Sequence, residues 1–298
     1  MNFLVTGATG FIGTRVIDQL LARGHSVNYL ARRRSSRLDG RAAFHPWSTD
    51  ERPPLDSVPR VDAVIHLAGE PVAQRWSAEV KKRIYESRVT GTRNLVSAIA
   101  QLKHKPSVLV SASAVGYYGS RGDEVLTEES APGSGFLAEV CVDWEREAFQ
   151  GEGCGLRVVA ARIGTVVGKN GGALEKMLLP FRLGIGGTFG DGRQWMSWIH
   201  VQDLVELLLF AAASPGASGA LNASSPEPVT NDAFTREIAK ALHRPAIIPV
   251  PRFALRLALG EMSNFLFDSL RVQPKATERA GFRFRYPTLA EALQNVLS

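Results

Sequence analysis

The chain has 298 residues, 45% of them hydrophobic and 21% charged, which fits a globular protein and excludes a disordered, collagenous or low-complexity one. Its 35 basic against 29 acidic residues give +6, a mild excess that suits anionic ligands as well as nucleic acid. Two cysteines, Cys141 and Cys154, cannot build a disulfide framework, and no Cys/His cluster offers a metal site.

The opening MNFLVTG runs straight into an apolar strand, without the basic, apolar and cleavage regions of an export signal. The longest apolar stretch, Leu204 to Ala213, is broken by Glu206 and falls far short of the ~20 residues of a membrane span. A cytoplasmic protein that does not enter a membrane is expected.

Residues 3–5 predict a first strand, and Ile12, Val16 and Leu20 place one apolar stripe on a helix that Gly24 is placed to end. Strands follow at 26–30 and 61–67, a helix at 83–101, a strand at 107–111, a helix at 136–149 and a strand at 156–163. This alternation predicts βαβ units and a parallel sheet, an α/β fold class. Glycines cluster at 168–172 and 184–192, the pattern of loops at the mouth of a site. The prolines from Pro226 to Pro287 break the tail into short helices and turns, expected to pack on the first lobe.

Thr6-Gly7-Ala8-Thr9-Gly10-Phe11-Ile12-Gly13 lies between the first strand and the amphipathic helix, the context a dinucleotide fingerprint requires. Gly7 permits the tight turn, Gly10 leaves room for a pyrophosphate, and Gly13 lets the helix pack closely. The helix N-terminus then offers unpaired N–H groups to phosphates. A site for NAD places an acid at the end of the second strand, to hold the ribose 2′-hydroxyl. Here that strand runs into Arg32, Arg33 and Arg34, and no acid appears until Asp39. A guanidinium pairs with a 2′-phosphate that a carboxylate would repel, so Arg32, with Arg33 behind it, points to NADP(H). The run extends to Arg37 and Arg41, so a merely solvated basic loop is the alternative. Nucleic-acid binding is not expected, because no recognition helix or aromatic-interleaved basic stripe accompanies the run.

Thr6–Gly13, His66-Leu67-Ala68-Gly69-Glu70, Val89-Thr90-Gly91-Thr92-Arg93-Asn94-Leu95, Ser111 to Gly119 and Trp198 to Leu204 together resemble the extended short-chain dehydrogenase/reductase family. HLAGEPVAQRW, SAVGYYG and the run from Gly171 to His200 resemble more narrowly its atypical branch of "epimerase family proteins", which has its own small C-terminal domain. The resemblance implies a Rossmann-type doubly wound parallel sheet over residues 1–220, pocket loops included, and a smaller, mostly helical lobe over residues 221–298. It implies that Leu67, Ala68, Gly69 and Glu70 line the cofactor, that Arg88 reaches a phosphate unless it forms a surface ion pair, and that Arg162 and Ile163 sit near the nicotinamide ribose.

One family feature is missing. Catalysis there uses Tyr-x-x-x-Lys, in which the lysine lowers the tyrosine pKa and the tyrosine exchanges a proton with substrate. None of Tyr29, Tyr85, Tyr117, Tyr118 or Tyr286 has a lysine four residues on, and Phe136 and Val140 fall near the lost positions. Ser113 matches the family serine that bonds the substrate oxygen, or else ties down its strand end. Tyr117, or less readily Tyr118, could supply the phenol from the adjacent loop; the alternative is packing. Glu139 reads as a surface carboxylate, Cys141 as a buried thiol, His66 as a core histidine, and the pair His200 and Asp203 as a fastening of the late strand and helix.

Met177, Phe181, Phe189, Trp195, Met196 and Trp198 are candidate pocket walls, with Arg182, Arg193 and Gln194 as polar guides. Enzymes acting on nucleotide sugars often carry an arginine where Met196 falls, which weakens that substrate class here, although Arg193 is close. The resulting expectation is an NADP(H)-dependent oxidoreductase or epimerase-like enzyme on a small carbonyl or hydroxyl compound, with Ser113 and Tyr117 as its polar pair. The alternative is a non-enzymatic NADP(H)-binding redox sensor or scaffold.

Overall fold

The computed structural model describes residues 1–38, 40–246 and 248–297. The first half runs β1 (Asn2–Thr6), α1 (Phe11–Ala22), β2 (Ser26–Ala31), β3 (Ala43–Pro46), β4 (Ala63–His66), α2 (Ala78–Ala100), β5 (Val108–Ala114), β6 (Val125–Leu126) and α3 (Phe136–Phe149). Then come β7 (Arg157–Ile163), β8 (Thr165–Val167), α4 (Gly172–Arg182), β9 (Trp195–Met196), β10 (Trp198–His200), α5 (Val201–Ala213) and β11 (Gly219–Ala223). The remainder is β12 (Val229–Thr230), α6 (Asn231–Leu242), α7 (Arg252–Leu259), β13 (Arg271–Val272), α8 (Lys275–Arg279) and α9 (Leu289–Leu297).

Seven parallel strands lie in the order β11-β7-β5-β4-β1-β2-β3, so the winding reverses between β1 and β4. Ligands of such sheets bind at the carboxyl ends of the strands beside that reversal. Strand alternation feeds both faces. Phe3 and Val5 join Ile17, Leu20, Leu204 and Leu208 on one face. Leu4 and Val64 join Leu95, Ile99 and Leu109 on the other. Thr6, Leu30 and His66 align at one edge, while β5 and β7 run past it to the pair Ser113 and Arg162.

The edge beside the reversal is braced by buried polar groups. Thr6 Oγ1 accepts from the N–H of Leu67 and of Ala68, both at 3.1 Å. Its own proton therefore goes to His66 Nδ1 at 2.6 Å, and His66 Nε2 donates to Thr92 Oγ1 at 3.0 Å. That pattern requires a neutral imidazole, and burial holds the His66 pKa down at about 4.

The late segment is fastened as the sequence suggests. His200 Nδ1 accepts from the Gln202 N–H at 3.2 Å and caps α5. Asp203 accepts the N–H groups of Arg285 and Tyr286, each at 2.9 Å. A shared core of Leu174, Phe181, Trp198, Phe234, Ile238 and Leu293 joins the tail to the residues after β7.

Three expectations are refined. α2 begins at Ala78 because Ser77 caps it, accepting from the Val80 N–H, rather than at 83. β3, short and half-buried, has no strong apolar pattern and was not predicted. The boundary after 220 falls inside β11, whose residues 221–223 continue in the sheet beside β7. Among the described residues no helix is long and apolar enough to cross a membrane.

Replacing Asp203 by Ala leaves two backbone donors unmet and should cost about 3 kcal/mol in denaturant unfolding, at about 1.5–3 kcal/mol for each hydrogen bond to a charged group. Because the folded state holds His66 and His200 neutral, with pKa values near 4 against the usual 6.5, the unfolded chain takes up protons first on acidification. Stability should therefore fall as the pH drops from 6.5 toward 4, read as a falling melting temperature. His66→Asn should flatten that slope.

Candidate functional site

Two backbone approaches close the turn after β1. A Cβ on Gly13 would stand 2.2 Å from the Gly7 carbonyl oxygen, and one on Gly7 would stand 2.5 Å from that of Leu67. Gly7 also has φ +66°, where a side chain is strained. Gly10 is different: a Cβ there would meet only the Gly7 oxygen, at 3.2 Å, and otherwise open space. Gly10 starts α1 with no side-chain cap and no acid in the first turn. The first-turn N–H groups of Phe11, Ile12 and Gly13 thus keep their partial positive charge for a ligand.

Not every residue of the motif faces that opening. Thr6 is a correction, because it is fully buried and its hydroxyl is spent on the brace around His66. It braces the floor beneath the Gly7 turn by accepting from Leu67 and Ala68. Thr9 is exposed beside Gly10, and Ile12 packs partly on the core. Phe11 turns its ring away, against Gly168, Gly171 and Gly172, with the Arg15 guanidinium 4.0 Å from its centroid. The glycines at 168–172 therefore make room for Phe11 rather than forming a mouth.

At the end of β2, Arg32 and Arg33 are exposed and form no ion pair among the described residues. The outer arginines are accounted for: Arg37 and Arg41 both reach Asp18 of α1, at 2.8 and 3.0 Å. Asp39 lies outside the described residues.

Beyond β4, Leu67 and Ala68 run under the Gly7 turn. The Glu70 carboxylate accepts from Gln74 at 3.1 Å, and its N–H donates to Ser87 at 2.9 Å, so its side chain turns along its own loop. Arg88 is half-buried and lies against Gly69, where a Cβ would stand 3.1 Å from its Cζ. It forms no ion pair among the described residues; Nη1 donates to the carbonyls of Glu70 and Ile84.

The ends of β5 and β7 carry a buried network. Ser113 donates to Glu145 at 2.6 Å, and Arg162 grips the same carboxylate with Nε at 2.9 Å and Nη2 at 2.8 Å. Arg162 Nη1 donates to Tyr118 Oη at 2.9 Å, and that hydroxyl donates to Asn222 at 2.7 Å. Burial lowers the Arg162 pKa, but its bonds to Glu145 outweigh that and the net shift is upward. Ser113 and Arg162, 2% and 4% exposed, are corrections. The serine ties its strand to α3, and the arginine is closed inside the network rather than offered to a ribose. Ile163 packs in the apolar cluster with Val89, Ala112 and Trp144.

Glu145 was not foreseen. The signal was there: it stands on the stripe of α3 formed by Ala138, Cys141, Trp144 and Ala148, where a carboxylate is buried only if paired. Glu139 is exposed. Burial, with Glu145 nearby, pushes the Cys141 thiol up to about 12, so it stays protonated.

Of the two loop tyrosines, Tyr118 is fully buried, and burial pushes its phenol up to about 12. Tyr117 is half-buried, its ring centroid 3.5 Å from the Arg162 Cζ and edge-on to Tyr118. Its hydroxyl has no partner among the described residues. Phe136 stands at the cleft with Trp76 edge-on at 5.3 Å and Lys81 Nζ 4.8 Å from its centroid. Phe181 and Trp198, expected as pocket walls, are buried in the core instead, and Gln194 is bonded to the carbonyls of Phe189 and Leu266. Trp195 stays half-buried between Asp123, which accepts its Nε1–H at 2.8 Å, and Arg271.

Comparison with known proteins agrees with this geometry. Residues 3–223 match the NAD dependent epimerase/dehydratase family, and residues 250–296 match a domain of unknown function, DUF1731. The epimerase family protein YfhF of Bacillus subtilis is 38% identical over 299 residues, covering 100% of this chain and 98% of that protein. The crystal structure of human epimerase family protein SDR39U1 (isoform2) with NADPH superposes with a TM-score of 0.88 at 32% identity, covering 100% of this chain and 99% of that one. A nucleoside-diphosphate sugar epimerase from Corynebacterium glutamicum gives a TM-score of 0.81 at 34% identity, covering all of this chain but 58% of that one. The open Gly10 cradle at the reversal of the sheet, and the second match at its C-terminal end, fit these relatives: the chain belongs to the NAD dependent epimerase/dehydratase family.

Proposed function

We propose that this protein binds NADP(H) in preference to NAD(H) and catalyses hydride transfer to or from a small carbonyl or hydroxyl compound. The observation that carries the cofactor reading is the open Gly10 cradle flanked, at the end of β2, by two guanidinium groups without ion-pair partners among the described residues. The first-turn N–H groups of α1 would hold the pyrophosphate. Arg32 and Arg33 would take the 2′-phosphate, since Asp18 already satisfies Arg37 and Arg41. Leu67, Ala68 and Gly69 would line the dinucleotide's flank. The human relative was solved with NADPH, which supports the same choice.

When bound, the nicotinamide supplies or accepts the hydride. The protein must then move one proton at the substrate oxygen. Phe136 has no proton to give, Tyr118 and Cys141 are buried and protonated, and Ser113 is closed onto Glu145. Tyr117 is the phenol whose hydroxyl has no partner among the described residues, and Arg162 and Tyr118 hold its ring in place. In reduction Tyr117 would give its proton to the substrate oxygen, and in oxidation it would take that proton back. The replacement of Tyr-x-x-x-Lys by Phe136 and Val140 favours the second reading, a redox sensor or scaffold without turnover.

In calorimetry NADPH should bind at least about tenfold more tightly than NADH, and Arg32→Ala should erase most of the difference, at ~1.4 kcal/mol for each factor of ten. Equal affinity in the parent protein would end the 2′-phosphate reading. A panel of carbonyl compounds followed at the nicotinamide absorbance separates enzyme from sensor. Where turnover is found, Tyr117→Phe should lower it about 100-fold, the scale of general acid catalysis, with NADPH affinity retained. Unchanged turnover would remove Tyr117 from the chemistry.

A further inference from the structure

Asp268 carries a carboxyl that the fold itself does not use. It stands in the C-terminal lobe, between the helical turn Gly260–Phe267 and β13, and is half-buried. Its side chain has no hydrogen bond and no ion pair among the described residues. The neighbouring cations are engaged elsewhere: Arg121 with Glu124 at 2.9 Å, Arg271 on the Trp195 ring and Arg252 on the Phe267 ring. Burial, with no charged neighbour to offset it, raises the carboxyl pKa from its ordinary value.

The backbone around this carboxyl is tied down, and tied to the loop that carries Tyr117. Ser269 Oγ donates to the Gly122 carbonyl at 2.7 Å and accepts from the Trp195 N–H at 3.0 Å. The Ser269 N–H donates to Ser120 Oγ at 3.0 Å. On its other side, the Asp268 N–H donates to the Phe265 carbonyl at 3.4 Å. Phe265 packs in the apolar cluster of Val115, Tyr118 and Tyr117. The turn that holds Asp268 is thus a wall of the space beside Tyr117, whose hydroxyl likewise has no partner among the described residues.

A carboxylate drawn partly out of water without a donor or a cation is costly until a ligand supplies one. Two such polar groups on apolar walls mark a place where a ligand completes the hydrogen bonding. They differ in what they require of it: a phenol donates and accepts, whereas an ionised carboxylate only accepts. We propose that Asp268 accepts a hydrogen bond from the substrate, so that the compound handled beside Tyr117 carries a hydroxyl or amine besides its reacting carbon–oxygen group. Asp268 orients that compound and takes no part in the proton transfer. The inference rests on the reading of Tyr117 above as the group that meets the substrate oxygen.

The test titrates benzyl alcohol, benzylamine and toluene, whose rings suit the walls of Tyr117 and Phe265, into NADPH-saturated protein by ligand-observed NMR. At least one of the two donor-bearing probes should bind about fivefold or more tightly than toluene, the scale of one hydrogen bond. Asp268→Leu should bring that probe down to the level of toluene and leave NADPH affinity unchanged. Asp268→Asn keeps an acceptor without the charge, so it should retain an advantage for benzyl alcohol and lose one for benzylamine, which tells a hydroxyl from an amine. Because no partner is lost, Asp268→Leu should melt no lower than the parent. Donor probes that bind no better than toluene, or an advantage that survives Asp268→Leu, overturn the proposal. So does a lowered melting temperature in Asp268→Leu, which would make the carboxyl a structural one. If Tyr117→Phe leaves turnover unchanged while Asp268→Leu removes the advantage, the proton role falls and Asp268 stands. If the parent itself fails to bind NADPH, the cofactor reading falls instead, and the same titrations on the free protein decide Asp268.

Discussion

The site rests on how closely two stretches of backbone meet at the carboxyl edge of β1 and β4. Gly13 and Leu67 crowd the Gly7 turn to distances at which no Cβ fits, and the buried relay through Thr6, His66 and Thr92 locks the far side of the same junction. The relay is fully satisfied only with a neutral imidazole, so it gives direction as well as stability. That junction sets α1 so that its first-turn N–H groups face the opening beside Gly10. The direction in which those N–H groups point follows from this arrangement.

The other end of the cleft is filled by a buried polar network. A buried pair, Glu145 within α3 and Arg162 near the end of β7, takes Ser113 and Tyr118 as hydrogen-bonding partners. Such a pair stabilises little by itself, because desolvation offsets attraction, but losing either partner leaves a buried charge. Its consequence is positional. The guanidinium becomes the platform beneath Tyr117, and the network continues through Asn222 into the C-terminal lobe, where Asn222 Nδ2 donates to the Gln273 carbonyl and its own carbonyl accepts from Thr277.

The α/β alternation, the glycine turn and the fastening by Asp203 were all legible in the sequence, because period, spacing and chain order express them directly. The roles of Thr6, Phe11, Ser113 and Arg162 were not. Each lies at a motif position, yet its side chain is committed to partners far away in sequence, and spacing carries no record of that. Glu145 could have been found as a carboxylate on the apolar stripe of α3, but its partner 17 residues away could not. The expected pocket walls failed for a related reason: Phe181 and Trp198 have the composition of a ligand site and the neighbours of a core.

The ring of Phe11 ties the two halves of the domain's sequence together. It fills a socket whose rim is Gly168, Gly171 and Gly172, with a Cβ at 171 falling 2.2 Å from its edge. A side chain at 171 would have to displace the Phe11 ring, so the loop and the first residue of α1 constrain each other's shape.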